Sequence, residues 1–271
     1  MLYTGLTGGQ INAAASLVII HTVGNLNVSS VFTGTNGLNK GGAGTLTFNS
    51  VQLVSGTYTV NDGTLMLSSG VDNTLAVFAT ATTPTLNPLQ VNGGSLDLYG
   101  RNQAVAAFSS VNALPGTGGI ITNGVAATTS TFTSTGGGTF GGVMQDGAGA
   151  AVLAFTRSGN NTSTLTSNNT YTGATIIRGG ILSLRDQGQL SGSSGVTNFF
   201  GGLTLDDTGL YTSANLGANR VVNGITLQGG TLTYSGAQSV ATVGTVTRAW
   251  IARSRNAARY QFSMGRTVSG D

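Results

Sequence analysis

The sequence predicts an all-β chain of stacked strands, on three observations. Its residue types suit strands and tight turns, charged helix formers are nearly missing, and one strand–corner–strand unit recurs along it. Thr, Ser, Asn, Val and Ile are abundant, with 44 glycines against 3 prolines. There is no Glu, and Lys40 is the only lysine. Charged residues make up 7% of the chain, against a usual share of about 25%. A disordered chain is typically charge-rich and apolar-poor, whereas this one is 39% hydrophobic. Collagen is excluded because there is no strict glycine period and little proline.

The first segment of note is 13–20 (AAASLVII). It has the length of a signal-peptide core, but no Lys or Arg precedes it, and it is too short to cross a bilayer. It is expected to be a buried strand, with any export signal lying upstream of Met1.

The recurring unit appears first as Val60-Asn61-Asp62-Gly63-Thr64-Leu65-Met66-Leu67, then as Val91-Asn92-Gly93-Gly94-Ser95-Leu96-Asp97-Leu98. The third copy is Ile177-Arg178-Gly179-Gly180-Ile181-Leu182-Ser183-Leu184, and the fourth is Leu227-Gln228-Gly229-Gly230-Thr231-Leu232-Thr233-Tyr234. A shortened form runs from Phe200 to Leu205. In each copy the last four positions alternate with period two, so two apolar side chains share one face of a strand. The glycines before them permit positive φ and a sharp corner. One unit cannot bury its apolar face alone, and stacking the units builds a shared core, which makes a β-solenoid. The glycines of successive copies lie 31, 86 and 50 residues apart. Those intervals suit coils of roughly 20 to 30 residues with loops inserted between some of them. The expected core holds Leu46, Phe48, Val60, Leu65, Leu67, Val91, Leu96, Leu98, Ile177, Leu182, Leu184, Leu203, Leu205, Leu227 and Leu232, in one continuous stack.

Residues 80–142 read as looser. All three prolines (Pro84, Pro88 and Pro115) fall there, and proline interrupts a strand ladder, so loops are expected at 80–90 and 112–119. The solenoid is expected to span 1–247. Residues 248–271 carry five arginines and the only Trp but no repeat, and are expected to be a capping helix, a disordered end or non-native sequence. Without them the chain has six basic residues and seven Asp, so the pI of 9.5 comes largely from the tail. A nucleic-acid binder carries its basic residues as a patch on the folded body, so no nucleic-acid partner is expected.

The segment Leu165 to Leu184 (LTSNNTYTGATIIRGGILSL) resembles the autotransporter-associated β-strand repeat, also called the passenger-associated transport repeat. Asn169, Thr170, Tyr171, Thr172, Gly173, Thr175, Ile177, Gly179, Gly180, Leu182 and Leu184 carry the resemblance. A looser match covers 44–67, where Asp62 stands in place of the first glycine and the Asn-Thr-Tyr turn is missing. The resemblance implies a right-handed single-stranded parallel β-helix, a fragment of a type V secretion passenger. It also implies a cell-surface or extracellular location, as a stalk, adhesin or autoaggregation factor, and thus a virulence role. The partners it implies are a second copy of the chain or host and cell-surface glycans or proteins. Membrane attachment is expected only through an outer-membrane barrel outside this sequence.

Candidate chemistry is sparse. With no cysteine there is no disulfide framework, thiolate metal site or cysteine nucleophile. The lone His21 has no companion His or Cys for a metal and is expected to be a structural or half-buried residue. Asp206-Asp207, the one acidic pair, alternates across a strand and is expected at the surface. No Walker pattern and no calcium-binding glycine–aspartate repeat is present. No catalytic residue, cofactor or metal is therefore expected. Two alternatives are carried forward. A polysaccharide-acting β-helix lyase or hydrolase would need Asp and Arg side chains converging in an external groove, drawn from Arg101, Arg157, Arg178 and Arg185 with Lys40 and Arg220. An ice-binding solenoid would align its Thr-x-Thr pairs, such as Thr45/Thr47 and Thr231/Thr233, on one flat face.

Overall fold

A computed structural model describes residues 5–80, 83–212, 219–236 and 245–248; side chains are described for the same residues except 77–80, 83–85 and 248. Among these residues every regular element is a strand, and all strand pairs but one are parallel. The chain is a β-solenoid of about ten coils, most of them contributing one short strand to each of three faces. At a strand spacing of about 4.8 Å the stack is roughly 45 Å long.

The first face runs through seven strands, from Gly5–Leu6 to Val143–Met144. It continues through Asn168–Asn169 and Gln189–Leu190 to a single bridge at Val221. The second face collects Gln10–Asn12, Val31–Gly34 and Leu53–Val54, then the seven strands from Gln103–Val105 to Val246–Arg248. The third face holds five strands from Val18–His21 to Phe108–Ser109 and five from Gly138–Phe140 to Thr231–Ser235. The Ser110 amide donates to the Thr139 carbonyl at 3.0 Å and joins its two halves.

Alternation decides what enters the core. Along the first face Leu26, Leu46, Leu65, Leu96, Ile121 and Met144 lie in register, one per coil. All but Leu26 are buried. Along the third face Leu165, Leu184 and Leu205 stack in register and lead to Tyr234. Phe108, Phe132, Phe140 and Phe155 fill the middle of the rod, with Phe108 edge-on to Phe132 at 5.2 Å between ring centroids.

The Leu-x-Leu segments do not form one stack as expected. Leu65 and Leu96 belong to the first face, whereas Leu182, Leu203 and Leu232 belong to the third. The unequal intervals follow from this shift. The 31-residue step is one coil enlarged by an insertion, and the 50-residue step is two coils. The 86-residue step is three coils plus two faces, so the glycine corner moves from the third/first edge to the second/third edge.

The insertion in the 31-residue step is an antiparallel hairpin, Ala76–Thr80 with Thr83–Leu86, and Pro84 lies in its second strand. Residues 80–142, read as looser, contain strands that continue all three faces, including the six-residue Thr129–Ser134. Segment 13–20 differs from a buried strand: Val18 is buried, but Leu17 and Ile19 face solvent. His21, expected as a structural or half-buried residue, is exposed at the end of its strand. The tail beyond Arg248 lies outside the described residues.

Candidate binding groove

The repeat residues sit at corners and on core faces. Gly63, Gly94 and Gly180 have φ near +62° and turn the chain immediately before a Leu-x-Leu strand. A Cβ on Gly94 would collide with the carbonyl oxygen of Gly63 in the coil below. At Gly93 it would meet the Asn61 carbonyl, and at Gly230 the Asn198 side chain. Gly179 packs over Gly159, and in the fourth copy the first glycine, Gly229, carries the positive φ. Leu65, Leu67, Leu96, Leu98, Leu182 and Leu184 are buried, and Leu232 is half-buried at the end of the core.

The Asn-Thr-Tyr turn forms the edge between the first and second faces. Asn169 is fully buried; its Oδ1 accepts from the Met144 amide at 2.9 Å and its Nδ2 donates to the Ser167 carbonyl at 2.8 Å. The Tyr171 hydroxyl shares a 2.6 Å hydrogen bond with Thr175 Oγ1, and burial raises its pKa. Gly173 lies against the Leu153 carbonyl, leaving no room for a side chain. On the outside, Asn61 Nδ2 donates to Asn39 Oδ1 and Asn92 Nδ2 to Asn61 Oδ1, both at 2.8 Å, an asparagine ladder across three coils.

Three cations are wholly buried, a feature the sequence reading did not anticipate. Lys40 Nζ donates to the carbonyls of Gly41 (3.2 Å), Gly42 (2.6 Å) and Asp62 (2.8 Å). Desolvation lowers its pKa, and nearby Asp62 partly offsets this. Arg157 donates to the carbonyls of Ser134, Asn161 and Ile181. Each of these two cations lies at or next to the end of a strand, at a place where the next coil has Val60 or Ile177. Each is followed by a four-residue corner where the next coil needs only three. The longer corner turns extra carbonyls inward, and a buried donor satisfies them.

Arg220 is the third. It pairs with Asp207 at 2.8 Å, and both side chains are fully buried. The expectation of a surface position for the acidic pair is thus half wrong. Asp206 points outward to Arg185 at 3.9 Å, while Asp207 turns into the interior, held also by the Tyr234 hydroxyl at 3.2 Å. The chain leaves its strand after Asp206, and the inward Asp207 anchors the following loop. Arg220 donates to the carbonyls of Asp186 (2.9 Å), Gly188 (2.8 Å) and Tyr211 (3.2 Å).

Two loops on the third/first edge define a groove of about 520 Å³. The 110–119 loop leans along the stack until the Thr166 hydroxyl donates to the Ala113 carbonyl (2.6 Å) and the Gly116 amide donates to Ser167 Oγ (2.8 Å). The 207–212 loop leans the other way, the Leu210 amide donating to Asp186 Oδ1. Loops that start about four coils apart therefore converge. The floor includes Thr139, Thr164, Arg185 and Asp186, and the walls are Asn112 to Leu114 and Thr208 to Leu210. Asp and Arg thus gather in an external groove as the enzyme alternative requires, though Arg157, one of its candidates, is buried elsewhere. The nearby carboxylates already have partners: Asp186 in the groove holds the Leu210 amide, and Asp206 beside it accepts at Oδ1 from the Thr208 amide at 2.9 Å and hydroxyl at 2.6 Å. Among the described residues no three His, Cys, Asp or Glu side chains gather to hold a metal, and no helix is long and apolar enough to cross a membrane.

Fold and corners together define a β-solenoid whose edges are built by the recurring glycine corners and the Asn-Thr-Tyr turn. The chain is similar to the adhesin BmaC autotransporter of Brucella suis biovar 1 (strain 1330), with 29% identity over 196 residues covering 64% of this chain and 5% of that protein. It therefore spans a small part of the relative's length. The likeness and the solenoid fit a passenger fragment. No family model matches the chain, and no solved structure matches it.

Proposed function

We propose that the chain is a rigid, surface-displayed segment of an autotransporter passenger that serves adhesion. The observation that carries this is the parallel stack around one continuous core. A continuous core with every coil hydrogen-bonded to the next makes a stiff spacer, and the edge loops present side chains without interrupting it. The similarity to an autotransporter adhesin supports the same reading. The partners are host or cell-surface molecules, and a second copy of the chain where the role is autoaggregation. Beads coated with the purified chain are expected to adhere to epithelial cells above a control of uncoated beads, and no excess adhesion to any cell or matrix would refute the adhesive role. Autoaggregation is tested separately by sedimentation, where a strict monomer at high concentration rules it out.

A polysaccharide-acting enzyme is the second reading, favoured by Arg185 and Asp186 lining one groove, with Asp206 paired to Arg185 beside it. Because those carboxylates hold loop amides and hydroxyls, the adhesive reading predicts no new reducing ends or unsaturated products when pectin-like glycans are incubated with the chain. Their appearance, and loss in Arg185→Ala, would establish the enzyme instead.

A further inference from the structure

We infer that the groove between the two converging loops binds a neutral oligosaccharide, which deepens the adhesive reading and rests on it for the setting in which a glycan is met. The groove is preformed, because its walls are pinned by hydrogen bonds from Thr166 and Ser167 on one side and Asp186 on the other. Preorganised walls spare a ligand the entropy of ordering them. Its volume of about 520 Å³ lies in the range of small-ligand sites.

The chemistry selects the ligand. The hydroxyls of Thr139 and Thr164 have no protein partner among the described residues, so two donor–acceptor groups on the floor are open to a ligand. Arg185 and Asp186 contribute one charge of each sign, so the lining has no net charge to select an anion. Each wall adds an exposed aliphatic side chain, Leu114 and Leu210, 48% and 69% exposed. Mixed hydroxyl, guanidinium and aliphatic surfaces match the alternating hydroxyls and C–H faces of a sugar ring. A peptide is disfavoured because the floor strands Thr162–Leu165 and Ile181–Arg185 are paired on both sides and offer no edge for strand addition.

The test is binding of the purified chain to an array of neutral oligosaccharides beside others bearing sialic or uronic acids. It is repeated with the Thr139→Val, Thr164→Val double variant and with Leu210→Asp, whose side chain is exposed. Neutral oligosaccharides are expected to bind the parent chain, and at least tenfold more weakly each variant that keeps the parent circular-dichroism spectrum. No binding to any glycan, a preference for acidic glycans, or unchanged binding in a folded variant would overturn the inference. A chain that coats cells but binds no array glycan fails this inference alone. A chain that binds array glycans but no cell fails the adhesive reading alone.

Discussion

Replacing Asp207 with Asn keeps its volume but removes the counter-charge from a fully buried guanidinium. Two charges about 3 to 4 Å apart interact by about 4 kcal/mol at an effective dielectric of 20. Breaking a buried pair by removing one partner costs about 3 to 5 kcal/mol. Asparagine keeps one acceptor for Arg220, so about 3 kcal/mol is expected. The adjacent Asp206 is the internal control. Its pair with Arg185 is 3.9 Å long and Arg185 is 46% exposed, and such surface pairs are worth about 1 kcal/mol or less. Urea unfolding followed by circular dichroism should show Asp207→Asn shifted down by roughly 1 M and Asp206→Asn by much less. Hydrogen exchange should quicken first near 186–188 and 203–207, because solenoid stability is a sum of neighbouring terms. Equal midpoints for the two variants would refute the buried pairing.

Leu96→Ala, in the middle of the first-face ladder, should cost about 2 to 5 kcal/mol by chemical denaturation, and Leu232→Ala at the half-buried end clearly less. Gly94→Ala should destabilise more than Gly116→Ala in the same assay. Both have positive φ, costing about 1 kcal/mol, but only Gly94 lies against a neighbouring backbone. Burial raises the Asp97 pKa despite amide hydrogen bonds from Tyr99 and Gly124. The folded state then binds that proton more tightly, so this contribution to stability is full below the unfolded pKa and is lost as pH rises through the folded one. Asp97→Asn should flatten the stability–pH profile in that window and raise stability at neutral pH; an unchanged profile would contradict the burial.

Much of the fold was legible because period-two alternation and glycine corners are local signals. Val60, Leu65, Leu96, Ile177 and Leu182 are buried where the pattern puts them. The change of face between Leu96 and Leu182 was not legible, since the motif reports a corner but not which of three edges the corner occupies. Lys40 and Arg157 were missed because charge argues for solvent, and only the comparison of corner lengths in adjacent coils reveals carbonyls that need a donor. A lysine or arginine at the closing apolar position before a lengthened corner is the sequence signal to look for. The groove had the weakest signature. Its walls come from about 90 residues apart, and the long-range pinning bonds from Thr166 and Asp186 leave no local pattern.

Pairs of spin labels on single introduced cysteines test the stack most directly, since the chain has no cysteine of its own. Asn27 and Thr122 face outward on the first face four coils apart, and Ser109 and Thr233 on the third face five coils apart. At about 4.8 Å per coil their backbones lie about 19 and 24 Å apart. Narrow distance distributions centred near these values, allowing for label length, are the predicted result. Broad distributions, or separations well beyond about 35 Å, would contradict a continuous parallel solenoid.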